Sequence, residues 1–116
     1  MNLETVKITM PAGGKGSKET FEYSLRKEYG DIEGLYIPEA DSFNPDLEME
    51  IRKFGGIILH QRVRVRHYVS SVNVPHMDRF MPLEISGGDK TIIFDVERME
   101  ATASEITFYI VIRYEG

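Results

Sequence analysis

Strict two-residue alternation is the feature that most restricts what this chain can fold into. In EITFYIVIRYEG, Ile106, Phe108, Ile110, Ile112 and Tyr114 alternate with Thr107, Tyr109, Val111, Arg113 and Glu115. Successive side chains on a strand point to opposite faces, so this spacing suits a strand with one buried face. A helix would need its apolar residues about three to four positions apart. The same alternation recurs in TIIFDVER, where Ile92, Phe94 and Val96 oppose Asp95 and Glu97. It recurs in ETVKITM through Val6, Ile8 and Met10, and in FEYSLRK through Phe21, Tyr23 and Leu25. A further run leads into HQRVRVRHYV. There Ile57, Leu59, Val63, Val65 and Val69 are expected inward, and His60, Arg62, Arg64, Arg66 and Tyr68 outward. GLYIPE and PLEIS add two shorter candidates.

Gly-rich polar stretches separate these runs. AGGKGSK follows the first strand, and SGGDK reads as a hairpin turn whose glycines can take positive φ. NPDLEMEIRKFGG reads two ways. Asn44 suits an N-cap, Pro45 suits N1, acids fill the first turn, and Gly55 suits a stop, which favours a helix with Leu47, Ile51 and Phe54 on one face. As a strand, Leu47, Met49 and Ile51 would alternate with acids. The helical reading is the better supported of the two. The expected fold is therefore mainly β, an antiparallel β-sandwich or jelly-roll-like barrel of about six to eight strands with one short helix near 45–54. It forms a single domain over 1–116, with a flexible Gly-rich loop at 11–18.

Several chemistries lack their residues. There is no cysteine, which removes disulfides, thiolate zinc ligands and a cysteine nucleophile. PAGGKGSKET does not match a phosphate loop, because Lys15 is followed by Gly16 and the next segment reads as a strand rather than a helix. His60 and His67 differ in strand parity and His76 is distant in sequence, so no metal-ligand spacing exists. No serine sits in a Gly-x-Ser-x-Gly elbow. The expectation is a non-enzyme without cofactor or metal. No signal pattern and no apolar run of membrane-spanning length is present, so the expected setting is cytoplasmic or a virion.

Charge is the remaining feature. The net charge is −5, yet it is unevenly placed. Eight acids and no base lie between Glu28 and Glu50, among them Glu33, Glu39 and Asp41. Four arginines stand against one aspartate between His60 and Arg79. On a strand, Arg62, Arg64 and Arg66 would form a row on the order of 13 Å long. Three readings follow. The row could pair with acids on neighbouring strands, such as Asp95 and Glu97, for roughly 0.2 to 1 kcal/mol a pair. It could meet the acidic block, Glu33, Glu39 and Asp41 included, on another subunit. It could grip a polyanion, which the acidic chain and the lack of interleaved aromatics disfavour. Glycan binding through Tyr68 and Tyr109 is a further alternative, weakened by the absence of tryptophan. The binding residues expected are Arg62, Arg64, Arg66, Tyr68, Glu33, Glu39 and Asp41. The expected role is a structural subunit that associates with itself or another structural protein, a virion component being its concrete form. The alternatives are a carbohydrate- or anion-binding module and a nucleic-acid binder.

Overall fold

The computed structural model describes residues 2–24, 30–38, 46–53, 56–70, 81–85 and 91–114. The strands are β1 (Asn2–Met10), β2 (Lys18–Ser24), β3 (Ile32–Pro38), β4 (Leu47–Lys53), β5 (Ile57–Arg64), β6 (Val69–Ser70), β7 (Met81–Ile85), β8 (Thr91–Arg98) and β9 (Ile106–Tyr114). A 3₁₀ turn, Val65–Tyr68, joins β5 to β6. One sheet runs β1-β9-β3, with β6 and β7 both pairing the far side of β3. The other runs β2-β8-β4-β5. Among the described residues all pairings are antiparallel except the short β3–β6 contact. Most pairs of consecutive strands lie in different sheets, and among the described strands only β4 and β5 are both consecutive and paired with each other. This is the strand order of a two-sheet jelly roll. No described strand pairs across the two sheets, so the pairing defines a sandwich rather than a closed barrel.

The alternating residues fill the space between the sheets. Ile8, Met10, Ile92, Phe94, Val96, Ile110 and Ile112 are fully buried, and Phe21 and Tyr23 pack against them. The Tyr23 and Tyr114 hydroxyls lie 2.7 Å apart and tie β2 to β9 across the sandwich.

The segment expected to be a helix is a strand. Leu47, Met49 and Ile51 are all buried in β4, between β8 and β5. The cap and stop signals are local preferences, each of about 1 kcal/mol. Burying three apolar side chains outweighs them, at roughly 1.5 to 3 kcal/mol apiece. Gly56 takes φ 88° in the turn to β5, where its N–H donates to the Lys53 carbonyl at 3.1 Å.

β5 also departs from simple alternation. Its register against β4 shifts between Met49 and Ile51 and again between Ile51 and Arg52. Each shift inserts an unpaired residue and inverts side-chain parity. After the first shift His60 lies opposite core-facing Ile51; Ile57, expected inward, is 56% exposed at the start of the strand, and Ile58 beside it is 51% exposed. The strand ends at Arg64, so Arg66 and Tyr68 belong to the 3₁₀ turn. Tyr68, expected outward, is only 2% exposed.

The Gly-rich connection expected to be flexible is hydrogen-bonded to β8 and to the β8–β9 link. Gly13 and Thr102 exchange both backbone bonds, Gly16 N–H donates to the Arg98 carbonyl, and Arg98 N–H donates to the Ser17 carbonyl. The Arg98 side chain completes the anchor. It is 1% exposed, and its Nε donates to Thr102 Oγ1 at 2.9 Å while Nη1 donates to Ser17 Oγ.

Candidate functional site

The outer face of the β2-β8-β4-β5 sheet collects the charged side chains that the core-facing alternation excludes. Its two inner strands carry acids: Asp95 and Glu97 on β8, Glu48 and Glu50 on β4. Register sets Lys18 beside Glu97, Glu97 beside Glu48, and Glu48 beside Arg64. Thr20, Asp95 and Glu50 form the next rung.

The arginines face these acids within one molecule. Arg62 Nη2 lies 3.2 Å from Asp95 Oδ2, and Nη1 lies 3.8 Å from Glu97 Oε1. Arg52 reaches the same Asp95 oxygen at 3.6 Å and Glu50 at 3.4 Å. Lys18 approaches Glu97 at 3.5 Å. Arg64 pairs with Asp46, just before β4. Two members of the expected row, Arg62 and Arg64, therefore sit together on β5 and belong to an intramolecular ladder. The third, Arg66, is displaced onto the turn, where it lines a depression of about 450 Å³ with Arg64, Asp46 and Glu100.

The other expected residues go elsewhere. Glu33 sits in a bulge of β3 on the opposite sheet and pairs with Arg113, at 2.8 Å from Nη2 and 2.9 Å from Nε. Glu39 and Asp41 lie outside the described residues. The Tyr68 ring stacks on His60 at 5.8 Å between centroids, and its hydroxyl lies 2.9 Å from His60 Nδ1. His60 Nε2 donates to the Pro82 carbonyl at 2.9 Å, which makes Nδ1 of the neutral ring the acceptor from Tyr68. Burial pushes the Tyr68 phenol up from 10.0 to about 12. His60 is thus the link between β5 and β7, and Tyr68 is a buried support for it rather than a surface platform.

Asp95 is the hub of the ladder, its side chain 15% exposed between two arginines. Asp95→Ala is expected to cost about 1 to 2 kcal/mol in urea unfolding, because Arg52 and Arg62 lose a shared acceptor in a half-buried position. Arg64→Ala, which removes only an exposed pair, should cost less than about 0.5 kcal/mol.

On the outer face of this sheet Lys18 and Glu22 cancel on β2, Asp95 and Glu97 give β8 −2, Glu48, Glu50 and Arg52 leave β4 at −1, and Arg62 and Arg64 give β5 +2. Among the described residues, no group of three or more His, Asp or Glu could hold a metal ion, and no helix is long and apolar enough to cross a membrane.

Comparison with protein-family models, curated proteins and solved structures finds no match.

Arg98 and Asp46 were not among the residues singled out from sequence. Arg98 had a readable signal, since it continues the inward parity of Ile92, Phe94 and Val96. Asp46 had none beyond its place in the acidic block.

Proposed function

We propose that this chain is a non-enzymatic structural subunit that acts through protein–protein contacts, as a component of a virion or comparable particle. The observation that carries this reading is the exposed corner at the start of β5. Ile57 and Ile58 stand 56% and 51% exposed, next to each other on a strand that pairs only with β4 among the described residues. Single exposed apolar side chains are ordinary, but two adjacent isoleucines on an open sheet edge invite a partner. The strand order supports the reading by analogy only, since capsid proteins, lectins and cupins share jelly rolls. A polyanion grip is weaker, because Arg62 and Arg64 face carboxylates of their own molecule. A glycan platform is weaker, because Tyr68 is enclosed.

The test is self-association measured by light scattering and sedimentation velocity over a concentration series at low salt. The wild-type chain should associate, and Ile58→Asp should weaken association at least roughly tenfold while leaving the melting temperature unchanged. A wild-type chain that stays monomeric throughout overturns the proposal.

A further inference from the structure

We infer that one end of the sandwich binds a small oxyanion, a phosphate, sulfate or carboxylate group, on the Arg98 guanidinium beneath the Gly-rich turn at 13–17. This site is separate from the assembly reading above and does not depend on it. Arg98 is the last residue of β8 and is 1% exposed. Guanidinium groups do not lose their proton in proteins, so the chain buries a full positive charge there. Buried charges are ordinarily paired, because an uncompensated one opposes folding far more than a neutral polar group does. Among the described residues Arg98 meets only two hydroxyls, those of Thr102 and Ser17, and no carboxylate. Its Nη2 is closed off from water and has no hydrogen-bond partner among the described residues. Arg52 and Arg62 also carry one orphaned nitrogen each, but both have Asp95 to balance their charge. What Arg98 lacks is negative charge, not merely an acceptor.

The chain lying over it suits an anion. Gly13 sits against the guanidinium, where a Cβ would come within 3.0 Å of Nη1. The Ser17 N–H donates to the Gly14 carbonyl and closes a turn in which Gly16 takes φ 84°. Positive φ at the third residue of a turn is the type II geometry, which glycine adopts without strain. The Ser17 hydroxyl gives its one proton to the Gly14 carbonyl at 2.7 Å, so it offers Arg98 lone pairs but no charge. The backbone N–H groups of Gly14 and Lys15 make no bond among the described residues, and the Lys15 side chain is exposed. Because Nη2 is closed off, the anion enters as this turn lifts and is then held between it and the arginine. Phosphate, sulfate and carboxylates present paired oxygens that match the paired N–H groups of a guanidinium, and glycines let backbone N–H groups approach closely. The sequence of this turn is no phosphate loop, because a strand follows it; here the cation comes from β8, and no helix N-terminus is needed.

Isothermal titration calorimetry tests the site. Sodium phosphate, sulfate and acetate are each titrated into the chain in chloride buffer at constant ionic strength. At least one should bind saturably at a single site, and which of them binds separates phosphate-like from carboxylate ligands. Arg98→Met should abolish binding. Arg98→Lys keeps the charge but loses the paired N–H groups, and it should weaken binding at least roughly tenfold. Circular dichroism melts check folding, and the lysine variant carries the test if the methionine variant does not fold. The same anion should raise the wild-type melting temperature saturably, with that shift lost in the folded variant. This separates binding from the general stabilisation that sulfate and phosphate give any protein. Absence of saturable binding for all three anions overturns the proposal. Binding to a folded Arg98 variant as tight as to wild type overturns it equally.

Discussion

Arg98→Ala is expected to lower stability by about 4 kcal/mol in urea or thermal unfolding. The side chain is 1% exposed at the inward end of β8, where its stem fills core volume. Its Nε and Nη1 hold the Thr102 and Ser17 hydroxyls, which belong to two different connections. Truncation removes that volume and both bonds at once, and it frees the link between β1 and β2 from the end of the sandwich. Gly13 shows how closely that link is laid over the guanidinium, since a Cβ there would come within 3.0 Å of Nη1.

Arg98→Met separates packing from charge. It keeps most of the stem and removes a buried cation whose Nη2 has no hydrogen-bond partner among the described residues. Desolvating that cation opposes folding, so the methionine variant should lose less, about 1 to 2 kcal/mol. Equal losses for alanine and methionine would show that the hydrogen bonds, not the volume, dominate. A loss below about 1 kcal/mol for alanine would contradict the anchoring role.

Met49→Ala is expected to cost about 3 kcal/mol. This substitution distinguishes the strand from the helix that local signals favour. In a helix over 45–54, Met49 would lie away from the face shared by Leu47, Ile51 and Phe54, and its loss would matter little. In β4 it is fully buried, opposite Val96 on one side and Val63 on the other. Neither neighbour can fill the space without leaving its own rung. A change within about 0.5 kcal/mol would contradict the strand assignment.

The fold was largely legible because alternation is a global signal. β1, β8 and β9 bury the residues their spacing indicates, since long regular ladders hold a single parity from end to end. Legibility failed where parity breaks. The two register shifts in β5 are written in no residue type, so His60, which lies between them, could not be placed by counting from Val63. The turn at Val65–Tyr68 was hidden by valines and arginines that suit a strand equally well. At β4 the opposite happened: strong cap and stop residues spoke for a helix, and burial between two strands decided otherwise.

The candidate site was legible in part. Asp95 and Glu97 were readable as strand neighbours of the arginines from their outward parity. That Arg64 pairs with Asp46, and Glu33 with Arg113, depends on which strands adjoin, and strand order leaves no trace in local spacing.

The alternation of connections between the sheets has a kinetic consequence. Because β1 pairs with β9, and β2 with β8, both sheets need residues from the two ends of the chain before either is complete. Among the described strands, only the β4–β5 hairpin can form from a short stretch by itself. Closing long loops comes before most of the energetic return, so folding is slow for the chain's length. Neither sheet can be released as a separate unit, because the backbone weaves between them in most of its connections. A growing chain emerging residue by residue cannot complete either layer until β8 and β9 have been made.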